Sequence, residues 1–219
     1  MLLLIGSDII IYVSGERTAF FYLMLSTILI IMFIDKWKMI RLLSFVSSMI
    51  IIVIISFSVP NIKERMIDKT LDSTNILADE EEIVVFTPVH QSGYKSAYKM
   101  FINNVFVGVG PNMFRFECNN SKYYEPNGCS THPHNTYLQL LAETGIIGAI
   151  PIIFSFFFVC FLFLKQSITI LFKKTRAMSD INVCLLSAIM ITLWPIAPSL
   201  NFFNNWNSIV IYLPIGFII

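Results

Sequence analysis

The stretch that decides the fold is Tyr137–Leu164, "YLQLLAETGIIGAIPIIFSFFFVCFLFL", in which Glu143 is the one charged residue. About 20 apolar residues in a helix cross a hydrocarbon core of about 30 Å, so this run reads as a membrane span. Five further runs read the same way: Met1–Val13, Ala19–Ile34, Leu42–Val59, Val183–Leu200 and Ser208–Ile219. The first and last are short for the task, at about 13 and 12 residues. On that ground the chain is expected to be the C-terminal part of a larger polytopic protein. Met1 opens directly into "LLLIG", without a basic n-region or a small-residue cleavage site, so the start does not read as a secretory signal peptide.

Composition agrees with a membrane protein. Hydrophobic residues make up 56% of the chain and charged residues 13%, about half the usual share in a soluble domain. A net charge of +1, with no basic stripe interleaved with aromatics, excludes a nucleic-acid partner. Most of the charge falls between Pro60 and Glu125. The expected fold is therefore an all-α, polytopic transmembrane helical bundle around one long exported loop. It divides into three spans over 1–59, the first of them truncated, a loop over 60–135, and three spans over 136–219.

Orientation follows from the short loops, because Lys and Arg accumulate on the cytoplasmic side. "DKWKMIR" carries Lys36, Lys38 and Arg41, and the connection after Leu164 carries Lys165, Lys173, Lys174 and Arg176. The opposite connections, "SGER" and "NFFNNWN", carry one Arg and none. Arg17, the whole 60–134 loop and Asn201–Asn207 are thus expected outside, which in a bacterium is the periplasm. Cys118 and Cys129 share that loop, where an oxidising compartment allows a disulfide. Cys160 and Cys184 lie within spans and read as apolar packing.

Two loop segments read as amphipathic helices. In Pro60–Ser73, Ile62, Met66, Ile67 and Leu71 recur at helical spacing, as for a helix on the outer membrane surface. In "GYKSAYKMFINN", Tyr94, Ala97, Tyr98 and Phe101 form the expected apolar face, and Lys95 and Lys99 lie on another. Leu77–Glu82 reads as a solvated acidic turn, and "GVGPN" as a tight turn rather than a phosphate loop.

"STHPHNTYLQLLAETGIIG", Ser130–Gly148, holds two of the three histidines. Pro133 forces an extended approach, and Asn135 or Thr136 is placed to cap the following helix. Three readings of His132 and His134 stand side by side. They are zinc ligands with Glu125 or Cys129, polar residues marking the membrane interface, or a general base, since a neutral imidazole takes a proton from a hydroxyl near pH 6.5. Glu143 lies within an apolar helix, where a carboxylate needs a polar partner or cavity. Arg17 sits between two spans, either as a snorkelling anchor or as a planar fork for a lipid phosphate.

His134-Asn135, nine residues, then Gly145-Ile146-Ile147-Gly148 resembles the signature of the O-antigen ligase and O-antigen polymerase superfamily. "SGERTAFF", "YKMFINNVFVGVGPNMF" and "FFNNWNSIVIYLPIGF" resemble further segments of that family, in the same order. The resemblance implies a membrane enzyme that moves a glycan from a polyprenyl diphosphate carrier to an acceptor hydroxyl at the periplasmic face of the inner membrane. It implies no cofactor and no metal. The acceptor would be lipid A–core in a ligase, or a second glycan in a polymerase; a non-catalytic membrane or transporter component is the remaining alternative. By position, His134 would be the base and Arg17 the diphosphate contact. His132 and Asn135 would support His134, and Gly145 and Gly148 would allow close helix packing. Lys95, Lys99 and Arg115 are candidate cationic contacts outside any motif.

Overall fold

The computed structural model describes residues 2–74 and 86–217, all helix and connecting loop with no strand among them. The acidic stretch Leu77–Glu82 lies outside the described residues. The chain forms two compact units, Met1–Phe86 and Thr87–Ile219.

The first unit contains α1 (Leu2–Val13), α2 (Arg17–Phe33) and α3 (Lys38–Ser58), then α4 (Pro60–Lys63), a π-helical turn (Glu64–Asp68) and α5 (Lys69–Thr74). In α3 the buried positions are Ser44, Ser48, Ile52 and Ser56, every fourth residue, whereas Leu43, Val46, Ile50, Val53, Ile54 and Phe57 are exposed. Small polar residues inside and large apolar ones outside reverse the pattern of a water-soluble helix. In lipid, close packing and interhelical hydrogen bonds hold helices together instead of apolar burial. Those bonds run to α1: Ser48 donates to Asp8 at 2.6 Å, and Tyr12 pairs with Ser56 at 2.6 Å. The expected helix at Pro60–Ser73 forms, with Met66 buried against Tyr12 and Ile52, and Ile62 and Ile67 beside them.

The second unit contains α6 (Pro88–Asn103), α7 (Phe114–Glu117), α8 (Thr136–Lys173), α9 (Asp180–Thr192) and α10 (Asn205–Gly216). Two helices of the described residues, α3 and α8, are long and apolar enough to cross a membrane; α1, α2 and α9 are apolar but shorter. The expected span Val183–Leu200 is corrected: α9 stops at Thr192. Pro195 and Pro198 lack the amide protons a helix needs and disfavour helix in the residues before them, so 193–204 is irregular. The expected face of α6 is corrected as well. Its buried positions are Gly93, Ser96, Ala97 and Met100, while Tyr98 is exposed. Small residues win because the chain passes close by: a Cβ on Gly93 would lie 3.6 Å from the Gly128 carbonyl and 3.8 Å from Pro133.

α8 is two helices in line. Gly145 breaks it with φ 65°, ψ −166°, a conformation essentially restricted to glycine. The loop after α6 fills the break. Val109 N–H and Gly110 N–H donate to the carbonyls of Ala142 and Glu143, both at 2.9 Å, while Ile146 and Ile147 N–H donate to Val105 and Phe106 at 2.8 and 3.3 Å. The loop thus caps the end of one half-helix and the start of the next. A break among apolar residues needs this, because freed backbone groups find no water there. Two glycines make the approach feasible. A Cβ on Gly145 would lie 2.3 Å from the Phe106 carbonyl, and one on Gly108 would lie 2.3 Å from the Glu143 carbonyl carbon.

Candidate active site

His134 occupies the turn that opens α8. Its φ of 56° is left-handed, a conformation that histidine tolerates better than most non-glycine residues. The turn is held from three sides. The buried ring of Pro133 precedes it. The His134 carbonyl accepts from Ser199 N–H at 2.9 Å and faces the Tyr94 hydroxyl at 3.5 Å. After it, Asn135 caps α8, its Oδ1 accepting from the N–H groups of Tyr137 and Leu138 at 3.1 and 3.0 Å. The amide of Asn135 donates to the Pro195 carbonyl at 2.8 Å. Asn135, expected to orient His134, therefore acts on the backbone on either side of it and makes no hydrogen bond to the imidazole.

All three histidines of the chain meet here. The His134 ring lies 4.2 Å from that of His132 and 5.1 Å from that of His90, centroid to centroid, and His90 stacks toward Tyr94 at 6.3 Å. His90 sits in the first turn of α6, where the Thr87 hydroxyl caps its N–H. Its place in the long polar loop was a readable signal, but 44 residues separate it from His134.

The two histidines of the motif have different surroundings. His132 is buried, with Nε2 3.2 Å from the Ser199 carbonyl and Nδ1 3.0 Å from the Thr131 hydroxyl. A carbonyl only accepts, so Nε2 carries the proton and Nδ1 accepts from Thr131; the ring is neutral. Burial pushes its pKa down to about 4. The nearby His134 adds to that effect, as do Arg115 and His90 more weakly, against the Ser199 hydrogen bond, which favours the charged form. His134 is half-buried, and its pKa is lowered by burial. Its ring makes no hydrogen bond among the described residues. With its pKa lowered, the neutral imidazole is the favoured form at neutral pH, the form a general base needs.

The zinc set drawn from the sequence does not assemble. Cys129 is disulfide-bonded to Cys118, with Cα atoms 5.1 Å apart. Glu125 is ion-paired with Lys99 at 2.8 Å, and that hydrogen bond holds its carboxyl below the usual range. No group of three His, Cys, Asp or Glu side chains among the described residues is placed to hold a metal ion.

The other sequence candidates fall in different places. Lys99 is committed to Glu125 and to the Tyr124 carbonyl at 3.1 Å, whereas Lys95 is exposed. Arg115 is exposed, donates to Asn112 at 3.2 Å, and is near enough to His132 to oppose its protonation. Gly148 sits against Thr144 of its own helix, its Cβ position 2.2 Å from the hydroxyl. Arg17 belongs to the first unit, at the start of α2, and donates to the Thr70 hydroxyl at 3.1 Å.

Beneath the histidines lies a polar network that the sequence pointed to only through Glu143. Its carboxylate is fully buried and accepts from Phe114 N–H at 2.8 Å, Asn112 N–H at 3.2 Å and the Gln139 amide at 3.1 Å. Gln139 also donates to Asn201 at 2.7 Å and accepts from Phe202 N–H at 2.9 Å. With the bond from Thr136 to Ser199 at 2.9 Å, these join the start of α8 to the irregular 193–204 segment.

The sequence model of a family described as O-antigen ligase matches residues 1–153. No curated protein and no solved structure matches the chain. The chain belongs to the O-antigen ligase family, a family of membrane glycan transferases.

Proposed function

We propose that the chain acts in the bacterial inner membrane as a multi-pass glycan transferase. It moves an O-antigen, or a similar polysaccharide, from a polyprenyl diphosphate carrier to a lipid A–core acceptor at the periplasmic face. The observation that carries this reading is His134: an imidazole with its pKa lowered by burial and no hydrogen bond to its ring among the described residues, fixed by its backbone at the mouth of an apolar helix.

The step is a substitution at the first carbon of the donor sugar. The acceptor hydroxyl oxygen forms a bond to that carbon, and the carbon–oxygen bond to the diphosphate breaks, its electron pair leaving with the diphosphate. The hydroxyl proton passes to a His134 ring nitrogen. Positive charge builds on the sugar ring and negative charge on the leaving oxygens, and the Arg17 guanidinium stabilises the latter. His132, held neutral by burial, leaves His134 without a cationic neighbour on that side and so keeps it a competent base. No resident metal enters this scheme.

The test is His134→Ala in the cell's own gene, with the carrier-linked and lipopolysaccharide-linked glycans then separated by size. Accumulation of long carrier-linked chains, with normal protein level, is the expected result. Accumulation of single repeat units would instead identify a polymerase, and unaltered transfer would rule out His134 as the base.

A further inference from the structure

α6 carries an aromatic ring at every fourth position from its first turn: His90, Tyr94 and Tyr98. With 3.6 residues per turn, such positions form a ladder that advances about 6 Å and rotates about 40° at each step. The rotation takes the ladder outward. His90 and Tyr94 are half-buried, whereas Tyr98 is 56% exposed. The inner rungs are ordered against the histidine turn. The rings of His90 and Tyr94 are nearly parallel, 13° between planes at 6.3 Å, and the His90 ring lies 5.1 Å from that of His134. The Tyr94 hydroxyl faces the His134 carbonyl at 3.5 Å. The ladder therefore starts beside the His134 imidazole and ends in the open.

Its surroundings are polar. Gln91 and Lys95 are exposed on the side toward which the ladder rotates, and Lys99 follows, paired with Glu125 at 2.8 Å. Exposed apolar side chains begin one turn beyond Tyr98, at Ile102, and continue at Phe106 and Val107. The opposite face of the helix is anchored, with Ala97 and Met100 fully buried in the core cluster, so the ladder is held rigidly. A tyrosine in a membrane-interface belt serves as an anchor among apolar neighbours. Tyr98 instead has a carboxamide and an ammonium at its edge. A flat ring with hydrogen-bonding groups beside it suits a ligand with an apolar face and a hydroxyl rim. A pyranose is such a ligand, because its axial C–H groups present weakly positive hydrogens to the negative face of an aromatic ring.

We infer that His90, Tyr94 and Tyr98 form a sugar-binding face, on which pyranose rings of a glycan stack while Gln91 and Lys95 bond their hydroxyls. The ladder spans about 12 Å, long enough for more than one sugar ring, and leads a bound chain to His134. That the sugar belongs to a substrate of glycan transfer rests on the proposed function; that the face takes a pyranose does not.

The experiment is saturation-transfer NMR titration of the full protein in detergent with two probes. One is core oligosaccharide released from the cell's own lipopolysaccharide, and the other is repeat-unit oligosaccharide released from the carrier. Tyr98→Ala is expected to weaken binding about fivefold, the loss of one stacking contact, and Tyr98→Phe to bind as the parent does. Tyr98→Leu, apolar but not planar, is expected to behave as Tyr98→Ala, and Gln91→Ala to weaken binding about threefold. Parent affinity in Tyr98→Ala, or no binding of either probe to the parent, overturns the face. Parent affinity in Tyr98→Leu also overturns it, since any apolar side chain would then serve, as in a membrane-interface anchor. An effect confined to the core oligosaccharide identifies the acceptor as occupant, and one confined to the repeat unit identifies the donor; either supports the face. Binding is read without turnover, so the result of His134→Ala in the transfer test scores the proposed function separately.

Discussion

Replacing Gly145 by Ala tests the broken helix directly. The residue sits at φ 65°, ψ −166°, where a non-glycine residue carries about 1–3 kcal/mol of backbone strain. The new methyl would also meet the carbonyl carbon and oxygen of Phe106 at 2.3 Å and the nitrogen of Val107 at 2.5 Å. These are backbone atoms, so no rotamer change relieves the clash and the loop must withdraw. Withdrawal breaks at least the bonds from Ile146 and Ile147 N–H to Val105 and Phe106, at about 0.5–1.5 kcal/mol each. The sum is about 2–6 kcal/mol, a large part of the 5–15 kcal/mol typical of a folded domain. Thermal unfolding in detergent should fall by roughly 10 °C or more, since each kcal/mol shifts a unit of this size by a few degrees. Glycan transfer should fall with it, because the displaced loop carries Asn112 and Phe114, which hold Glu143. Gly6→Ala is the control, as its Cβ would meet nothing within 4 Å. A Gly145→Ala protein with unfolding temperature and activity equal to those of Gly6→Ala would refute the break as the reason for glycine there.

Further outcomes follow from the same geometry. Glu143→Ala leaves two buried donors and one part-buried donor without this acceptor and should cost about 2–6 kcal/mol, whereas Glu143→Gln, which keeps one oxygen, should cost about 1–3; equal unfolding temperatures for the two would contradict the network. The pKa of His132 drops from 6.5 unfolded to about 4 folded, so below pH 6.5 the unfolded chain binds protons that the folded one refuses. Stability from this residue is complete above pH 6.5 and is lost as pH falls toward 4. After discounting for partial solvent access, the loss is about 1–3 kcal/mol, and His132→Asn should flatten the dependence in thermal scans between pH 7 and 4.5. Reducing the Cys118–Cys129 bridge, which closes a separation of 11 residues, should cost about 3 kcal/mol on the chain-entropy estimate. Unfolding temperatures with and without reductant check it, with Cys118→Ser as the matched variant.

Much of the helical content was legible because apolar composition and helical period act locally. α3, α8 and the Pro60–Thr74 segment stand close to where their residues put them. Features set by distant contacts were not legible. Tyr94 and Tyr98 suggested the wrong face of α6, since nothing near them announces that Gly128 and Pro133 pass so close to Gly93. The prolines that end α9 were visible, but the apolar run around them masked their effect. At the site, His132, His134 and Asn135 could be named from spacing, whereas Ser199, which holds both His134 and His132, lies more than 60 residues away and carries no motif. The conformation of Gly145 was hidden for another reason: a glycine permits a break but does not announce one.

The stitching of α8 to the 193–204 segment bears on how this protein can be recombined. The family match ends at residue 153, yet Ser199, Pro195, Leu193 and Asn201 all bond to residues 132–139. The histidine motif is therefore not a cassette. A chimera joined just after residue 153 would pair one parent's histidine turn with another parent's clasp. Its folding would depend on whether the two parents agree at the backbone groups of Leu193, Pro195, Ser199 and Phe202 and at the side chain of Asn201, which clasp the turn.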